Sequence, residues 1–102
     1  RISFLKITML IRIVKMHFNP AFVSEFRTVF KSVQPKIESF DGCSTVQLLQ
    51  DQNDPEIFFT ISHWKDEQHL NAYQESNLFK TTWAIVKPNF KVKAEAWSLL
   101  DT

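Results

Sequence analysis

With 102 residues the chain has room for one domain, which would bury roughly 65% of its unfolded surface and hold a core without disulfides. Twelve Lys and Arg against 11 Asp and Glu leave a net charge of +1, with no basic run to follow a phosphate backbone, which argues against a nucleic-acid partner. Cys43 is alone, which excludes an intramolecular disulfide and fits a reducing, cytoplasmic setting, and no apolar run reaches the ~18 residues that span a bilayer.

Lys6 interrupts the N-terminal apolar segment, which speaks against a secretory signal. Met9 reads as a natural start, so residues 1–8 are either an upstream extension or, through the alternation of Ile2 and Phe4, a continuation of the first strand. Residues 9–18 alternate as a β-strand does: Ile11, Ile13, Lys15 and His17 share one face, with Leu10, Arg12, Val14 and Met16 on the other. The face bearing Lys15 is expected to turn toward the helices. Asn19-Pro20 then starts a helix, Asn as N-cap and Pro at the first helical position. Its apolar stripe is Phe22, Phe26, Val29, Phe30, Val33 and Ile37, and Pro35 is expected to end it at Gln34 or kink it before a last turn.

Asp41-Gly42 breaks the chain. Residues 43–50 and 56–64 are strands joined by the turn-rich "DQNDP", and so form a hairpin. Residues 65–74 make a short helix with Asp66 as its cap. Ser76 caps another that carries Leu78, Phe79, Trp83 and Val86 and stops before Pro88. The last strand, 90–99, alternates strictly, and Lys91 and Lys93 suit an edge or a solvated face.

The order β-α-β-β-α-β, its second helical region split in two, gives an α+β ferredoxin-like fold: an antiparallel four-stranded sheet with helices on one face. Ten Phe and three Trp, with apolar residues on both strand parities, mean that the other sheet face also needs cover. A second copy packing sheet to sheet supplies it, so a homodimer is expected.

Gly42 is the only glycine, so neither a Walker loop nor a Rossmann fingerprint is present. One Cys and three scattered His offer no zinc-ligand spacing, and an antiparallel pairing separates His17 from His63 by about 20 Å, too far to share a metal. Four residues have a packing role and a chemical one open to them. Trp64 either plugs the sheet–helix corner or walls a pocket. Tyr73 is either a core tyrosine with a tethered hydroxyl or a donor to a substrate carbonyl or phenolate. Trp83, one turn after Phe79, is either core or cavity wall. Lys15, a charge in an apolar strand, either snorkels or pairs with Glu95, or else serves as a base or anion-binding group with a pKa lowered by burial. His63, opposite in parity to Trp64, belongs at the surface or in an interface, or else serves as a general base near neutral pH.

The aromatic first helix, "SFDGC" (39–43), "FFTISHW" (58–64), "LNAYQESNLFKTTW" (70–83) and the alternating last strand together resemble the antibiotic biosynthesis monooxygenase domain, a family of dimeric α+β barrels. The likeness spans residues 9–100. It implies one of several activities, since members include cofactor-free oxygenases of polyketide quinones, quinol oxygenases, haem-degrading enzymes and proteins without an assigned reaction. The haem-degrading branch uses an Asn on the first strand, a Trp in the short helix and a His after the helix restart. Here Lys15, Tyr73 and Trp83 stand at those positions, so haem degradation is not expected, and no cofactor is. The resemblance thus implies a cofactor-independent monooxygenase of a small aromatic or polyphenolic substrate, with Tyr73, Lys15 and His17 as catalytic groups and Trp64, Phe79 and Trp83 as substrate-binding walls. The alternative is a non-catalytic ligand-binding or stress-related barrel. A sheet–helix space with no cavity above about 300 Å³ would sink the oxygenase reading and leave the non-catalytic one.

Overall fold

The computed structural model describes residues 9–102, so the expectations for residues 1–8 lie outside the described residues. Strand β1 (Leu10–Phe18) ends at Asn19, where Pro20 opens a single 3-10 turn, Pro20–Phe22. Asn19 sits at the cap position with extended backbone, but its side chain makes no cap bond. Its carbonyl instead accepts the Phe22 N–H at 2.9 Å. Helix α1 (Val23–Glu38) runs on through Pro35 for one last turn, the second of the two outcomes expected there, and does not stop at Gln34. Tertiary contacts hold that last turn: Ile37 is buried, Gln34 Nε2 donates to the Val46 carbonyl at 2.9 Å, and Glu38 Oε2 accepts the Val46 N–H at 3.3 Å. Local proline chemistry is outweighed by an anchored side chain on either side of it.

Gly42 follows with φ +88°, a left-handed conformation that residues bearing a Cβ rarely adopt, and an added Cβ would collide with the His69 side chain. The hairpin of β2 (Cys43–Gln50) and β3 (Ile57–Trp64) turns where Asp51 Oδ2 accepts the N–H groups of Asn53 and Asp54. Helix α2 (Glu67–Gln74) is capped by Asp66, whose Oδ1 accepts the His69 N–H at 2.9 Å. Helix α3 (Asn77–Val86) is capped by Ser76, whose Oγ accepts the Phe79 N–H at 3.1 Å. A 3-10 turn, Lys87–Asn89, leads into β4 (Phe90–Leu100).

The four strands form one antiparallel sheet in the order β2-β3-β1-β4, the ferredoxin-like arrangement. The core lies between the helices and one sheet face, where Phe18, Phe58 and Trp64 have no exposed surface. Phe18 anchors an aromatic cluster, with ring centroids 4.3 Å from Phe26, 5.2 Å from Phe90 and 5.4 Å from Phe22. The inner residues of β1 are Leu10, Arg12, Val14, Met16 and Phe18. The expected orientation of β1 is therefore reversed: Lys15 and His17, with Ile11 and Ile13, lie on the outer face. Both parities of this strand are apolar, so a period of two cannot choose between them, and the complete burial of Phe18 decides it.

Cross-strand partners share a face, and the ladder pairs Ile13 with both Ile61 and Trp97, Ile11 with Leu99, and Leu49 with Phe59. The outer face is therefore largely apolar, and Trp97, Leu99 and Leu49 are exposed on it. Two register shifts interrupt the β1–β4 ladder between Lys15 and Phe18, and β4 carries the extra residue at each. Among the described residues no helix is long and apolar enough to cross a membrane.

Candidate functional site

Strand β4 alternates large outward residues (Glu95, Trp97, Leu99) with small inward ones: Ala96 lies opposite Val14, and Ser98 opposite Arg12. Small side chains on an edge strand leave unfilled space under α2 and α3. The result is a cavity of about 180 Å³, walled chiefly by Arg12, Val14, Thr60, Tyr73, Phe79 and Trp83. It is partly open along β4, where Ala96 and Ser98 are exposed. A smaller space of about 90 Å³ shares Val14, Thr60, Phe79 and Trp83 and reaches under α1 to Met16 and Phe26. Neither reaches about 300 Å³, which counts against the oxygenase of a polyphenolic substrate as expected from the sequence. An apolar cavity of ~150 Å³ nevertheless accommodates a benzene ring, so one ring fits where a polycycle does not.

An aromatic ladder builds the wall. Trp64 stacks on Tyr73 with centroids 5.0 Å apart, and Tyr73 meets Phe79 edge-on at 5.2 Å. Phe79 stacks on Trp83 at 5.6 Å, and Trp83 meets Phe90 at 5.4 Å. Tyr73, Phe79 and Trp83 thus come together on the cavity. Trp64 does not line it. Fully buried, with its indole N–H donating to Ser62 Oγ at 2.9 Å, it backs Tyr73 from behind.

Burial pushes the Tyr73 hydroxyl up to about 12, with the neighbouring Cys43 adding to the shift. At neutral pH it is a hydrogen-bond donor and not a base. Because its folded pKa lies above the unfolded value near 10, the stabilisation is fully present below pH ~10 and is lost as pH rises toward 12, about 2–3 kcal/mol in all. Tyr73 is the only tyrosine, so tyrosinate absorbance reports it alone. After a rapid pH jump the folded protein should titrate with a midpoint near 12, and the denatured chain near ~10. A folded midpoint near the denatured one would mean that water reaches the ring.

Lys15 and His17 stand apart from this cavity, on the other side of the sheet. Lys15 lies opposite Phe59 on one neighbour and Glu95 on the other. His17 joins a polar cluster: its Nε2 is 3.2 Å from Glu56 Oε1 and 3.8 Å from Asp54 Oδ2, and Lys91 Nζ donates to the same Glu56 oxygen at 3.1 Å. Lys91, then His17, hold the Glu56 carboxyl below its usual range. His17, Asp54 and Glu56 offer three ligand atoms within 4.8 Å of one another, yet Lys91 already satisfies Glu56, and the group acts as a clasp tying the hairpin turn to β1 and β4. The sequence reading passed over this cluster because its acids come from a turn distant in the chain. His63 lies on the outer face opposite Ile11, six residues along β3 from the partner of His17, and its Nδ1 is 3.0 Å from Thr45 Oγ1.

The sequence reading also passed over Arg12. Its Nη1 donates to Ser98 Oγ at 2.9 Å, while its Nε is buried without a hydrogen-bond partner among the described residues. Beyond Trp83 and Ala94, which it shares with the cavity, an open groove of about 430 Å³ runs past Lys87, Lys91 and Lys93.

Residues 9–84, which carry β1 through α3 and most of the cavity wall, match the family model for antibiotic biosynthesis monooxygenase. The chain belongs to this family. Solved structures agree in fold. A conserved protein from Methanosarcina mazei Go1 is similar at 24% identity and a TM-score of 0.86, covering 91% of this chain and 92% of that one. A structure described as an antibiotic biosynthesis monooxygenase aligns at 18% identity and a TM-score of 0.84, over 91% and 97% of the two chains. Rv0793 from Mycobacterium tuberculosis aligns at 14% identity and a TM-score of 0.85, over 92% and 95%. At such identities these likenesses concern the fold. No curated protein matches the chain.

Proposed function

We propose that this member of the family is a cofactor-independent monooxygenase of a single-ring, electron-rich aromatic diol. The observation that carries this reading is the ring-sized cavity walled by Tyr73, Phe79 and Trp83 in a chain of this family. Aromatic faces on the wall suit a planar ring, and the neutral Tyr73 hydroxyl supplies a hydrogen bond to an oxyanion that develops on it. Deprotonation makes a diol electron-rich enough to reduce dioxygen directly. One ring C–H becomes C–OH and the diol becomes a quinone. The four electrons released reduce dioxygen to the new ring oxygen and one water, with no external reductant. Lys15 and His17 take no part in this reading, because their side chains belong to the opposite sheet face.

The test is oxygen uptake with hydroquinone, measured beside hydroquinone binding. The expected result is one dioxygen per diol without added cofactor, and a kcat lowered by ~10²-fold in Tyr73→Phe, the cost of removing one oxyanion donor. The second reading, a ligand-binding barrel with no reaction, draws on the lack of a ready base: Tyr73 is held protonated, and no histidine lines the cavity. Binding of hydroquinone with uptake no faster than buffer alone would establish that reading instead.

The working unit in this proposal is a homodimer in the reducing cytoplasm, two sheets packed through their outer faces. Its support is the apolar content of that face, including the exposed Trp97 and Leu99.

A further inference from the structure

We propose that the cavity takes its ligand as an oxyanion, an aromatic carboxylate or phenolate, and that Arg12 is the group that binds the charge. The inference rests on the ring-sized occupant proposed above and adds what that ring must carry. Arg12 sits in the middle of β1 on the inner face, among Val14, Leu70 and the aromatic wall. A guanidinium is always charged and offers five donors in a fixed fork. Here Ser98 Oγ takes one Nη1 hydrogen, and Nε is left buried with nothing to accept from it. Among the described residues it is the one buried side-chain nitrogen or oxygen in that condition. A buried donor left unsatisfied is unfavourable, and such a group in a native fold calls for a partner, here at the inner end of a guanidinium whose Nη1 end is exposed at Ser98. The group that completes a guanidinium edge best is a planar oxyanion.

No described ion pair supplies that oxyanion from within the chain. The polar groups facing the cavity from β3 are Thr60 and Ser62, both neutral, and from α2 Gln74 and the protonated Tyr73. The one acid at its rim, Glu95 on β4, lies opposite Lys15 in the outward-facing set and forms no ion pair with Arg12 within 4.0 Å. Outside the cavity the shared wall of Trp83 and Ala94 opens on a groove where Lys87 and Lys93, unlike the Glu56-paired Lys91, form no described ion pair, so an approaching anion meets lysines before it meets Arg12. Ring, charge and approach therefore point to one ligand chemistry.

The experiment compares benzoate with benzamide, a neutral molecule of the same shape, by equilibrium titration of the full chain. It then follows 4-nitrophenol, whose ionised form has its own absorbance. The expected result is benzoate bound ~10- to 100-fold more tightly than benzamide, with bound 4-nitrophenol ionised at a pH where the free compound is not. Arg12→Gln should abolish both the preference and the spectral shift while keeping benzamide affinity. Arg12→Lys, which keeps the charge and guards against a folding defect, should retain part of each. A preference for benzoate alone assigns the site to carboxylates, and a shift of 4-nitrophenol alone to phenolates. Equal binding of benzoate and benzamide, with no spectral shift, overturns the anion assignment but leaves the ring-sized occupant standing. A preference that survives Arg12→Gln takes the role away from Arg12, and failure of all three probes to bind overturns both readings.

Discussion

Trp97→Lys should turn a dimer into a monomer at micromolar concentration, by weakening self-association at least ~30-fold without unfolding the protomer. The reasoning starts at the ladder. Trp97 is paired with Ile13, which is paired in turn with Ile61, so three neighbouring strands present one apolar row to the outside. Leu99 beside Ile11, and Leu49 beside Phe59, widen it. A sheet face of this composition left in water is an unsatisfied hydrophobic surface, and in the proposed dimer a second copy of the same face would cover it with two-fold symmetry. Tryptophans near the centre of such interfaces commonly carry 2 kcal/mol or more, which is the ~30-fold quoted. Lysine would also have to be desolvated there. Trp97 keeps 42% of its surface exposed in the protomer and stands outside the buried core, so the monomer loses little by the change. Sedimentation velocity on both proteins over a concentration series gives the answer. A wild-type protein that sediments as a monomer throughout would remove the dimer from the proposal.

That outer row explains why some of the fold was legible in the sequence and some was not. Element ends set by local chemistry were readable: Asp66 and Ser76 each accept an N–H three residues on, and β2 occupies residues 43–50 between Gly42 and the turn-rich "DQNDP", as expected. Pro35 left two helix ends open, and the choice is made by contacts across the fold, through Gln34 and Glu38 to Val46, which no local rule contains. Strand parity misled for a physical reason too. β1 carries apolar residues at both parities, so nothing in the strand itself separated Lys15 from Arg12 as the inward charge. The deciding residue was Phe18, whose complete burial places Arg12 on its side of the sheet. The cavity left a trace that pattern reading can use: Ala94, Ala96 and Ser98 alternate with Glu95, Trp97 and Leu99, and small residues facing inward mark where a sheet is left uncovered. Phe79 and Trp83 were legible because one helical turn separates them, whereas Tyr73, on the preceding helix, was singled out through the resemblance and the local crowding of aromatic residues. The clasp of His17, Asp54, Glu56 and Lys91 was not, since strand register and the turn, not spacing, bring its members into contact.

Trp64→Ala should cost about 3–5 kcal/mol, the range for truncating a large buried aromatic, and so consume much of the ~5–15 kcal/mol that holds a domain of this kind together. Three losses combine. The indole has no exposed surface, and its removal leaves a void at the corner where β3 turns into α2, because the sheet and helix it touches are fixed by the ladder and by the Asp66 cap. Ser62 Oγ, itself buried, loses the Trp64 N–H that it accepts at 2.9 Å. Phe40 and Tyr73, edge-on to each other at 5.5 Å, both lose the ring they share, with centroids at 6.4 and 5.0 Å. The last loss carries from stability into the site. Tyr73 is held against the cavity by that stack, so water admitted behind it should bring its titration midpoint down from about 12 toward the ordinary value near 10. Denaturant unfolding reads the first effect as a lowered midpoint concentration, and tyrosinate absorbance reads the second in the same variant. Trp83→Ala is the contrast: this half-buried side chain divides cavity from groove, so its removal should cost less stability and enlarge the opening to the site. If Trp64→Ala proves no more harmful than Trp83→Ala, the packing assigned to the sheet–helix corner is wrong, and the positioning of Tyr73 must come from Phe40 and Phe79 alone.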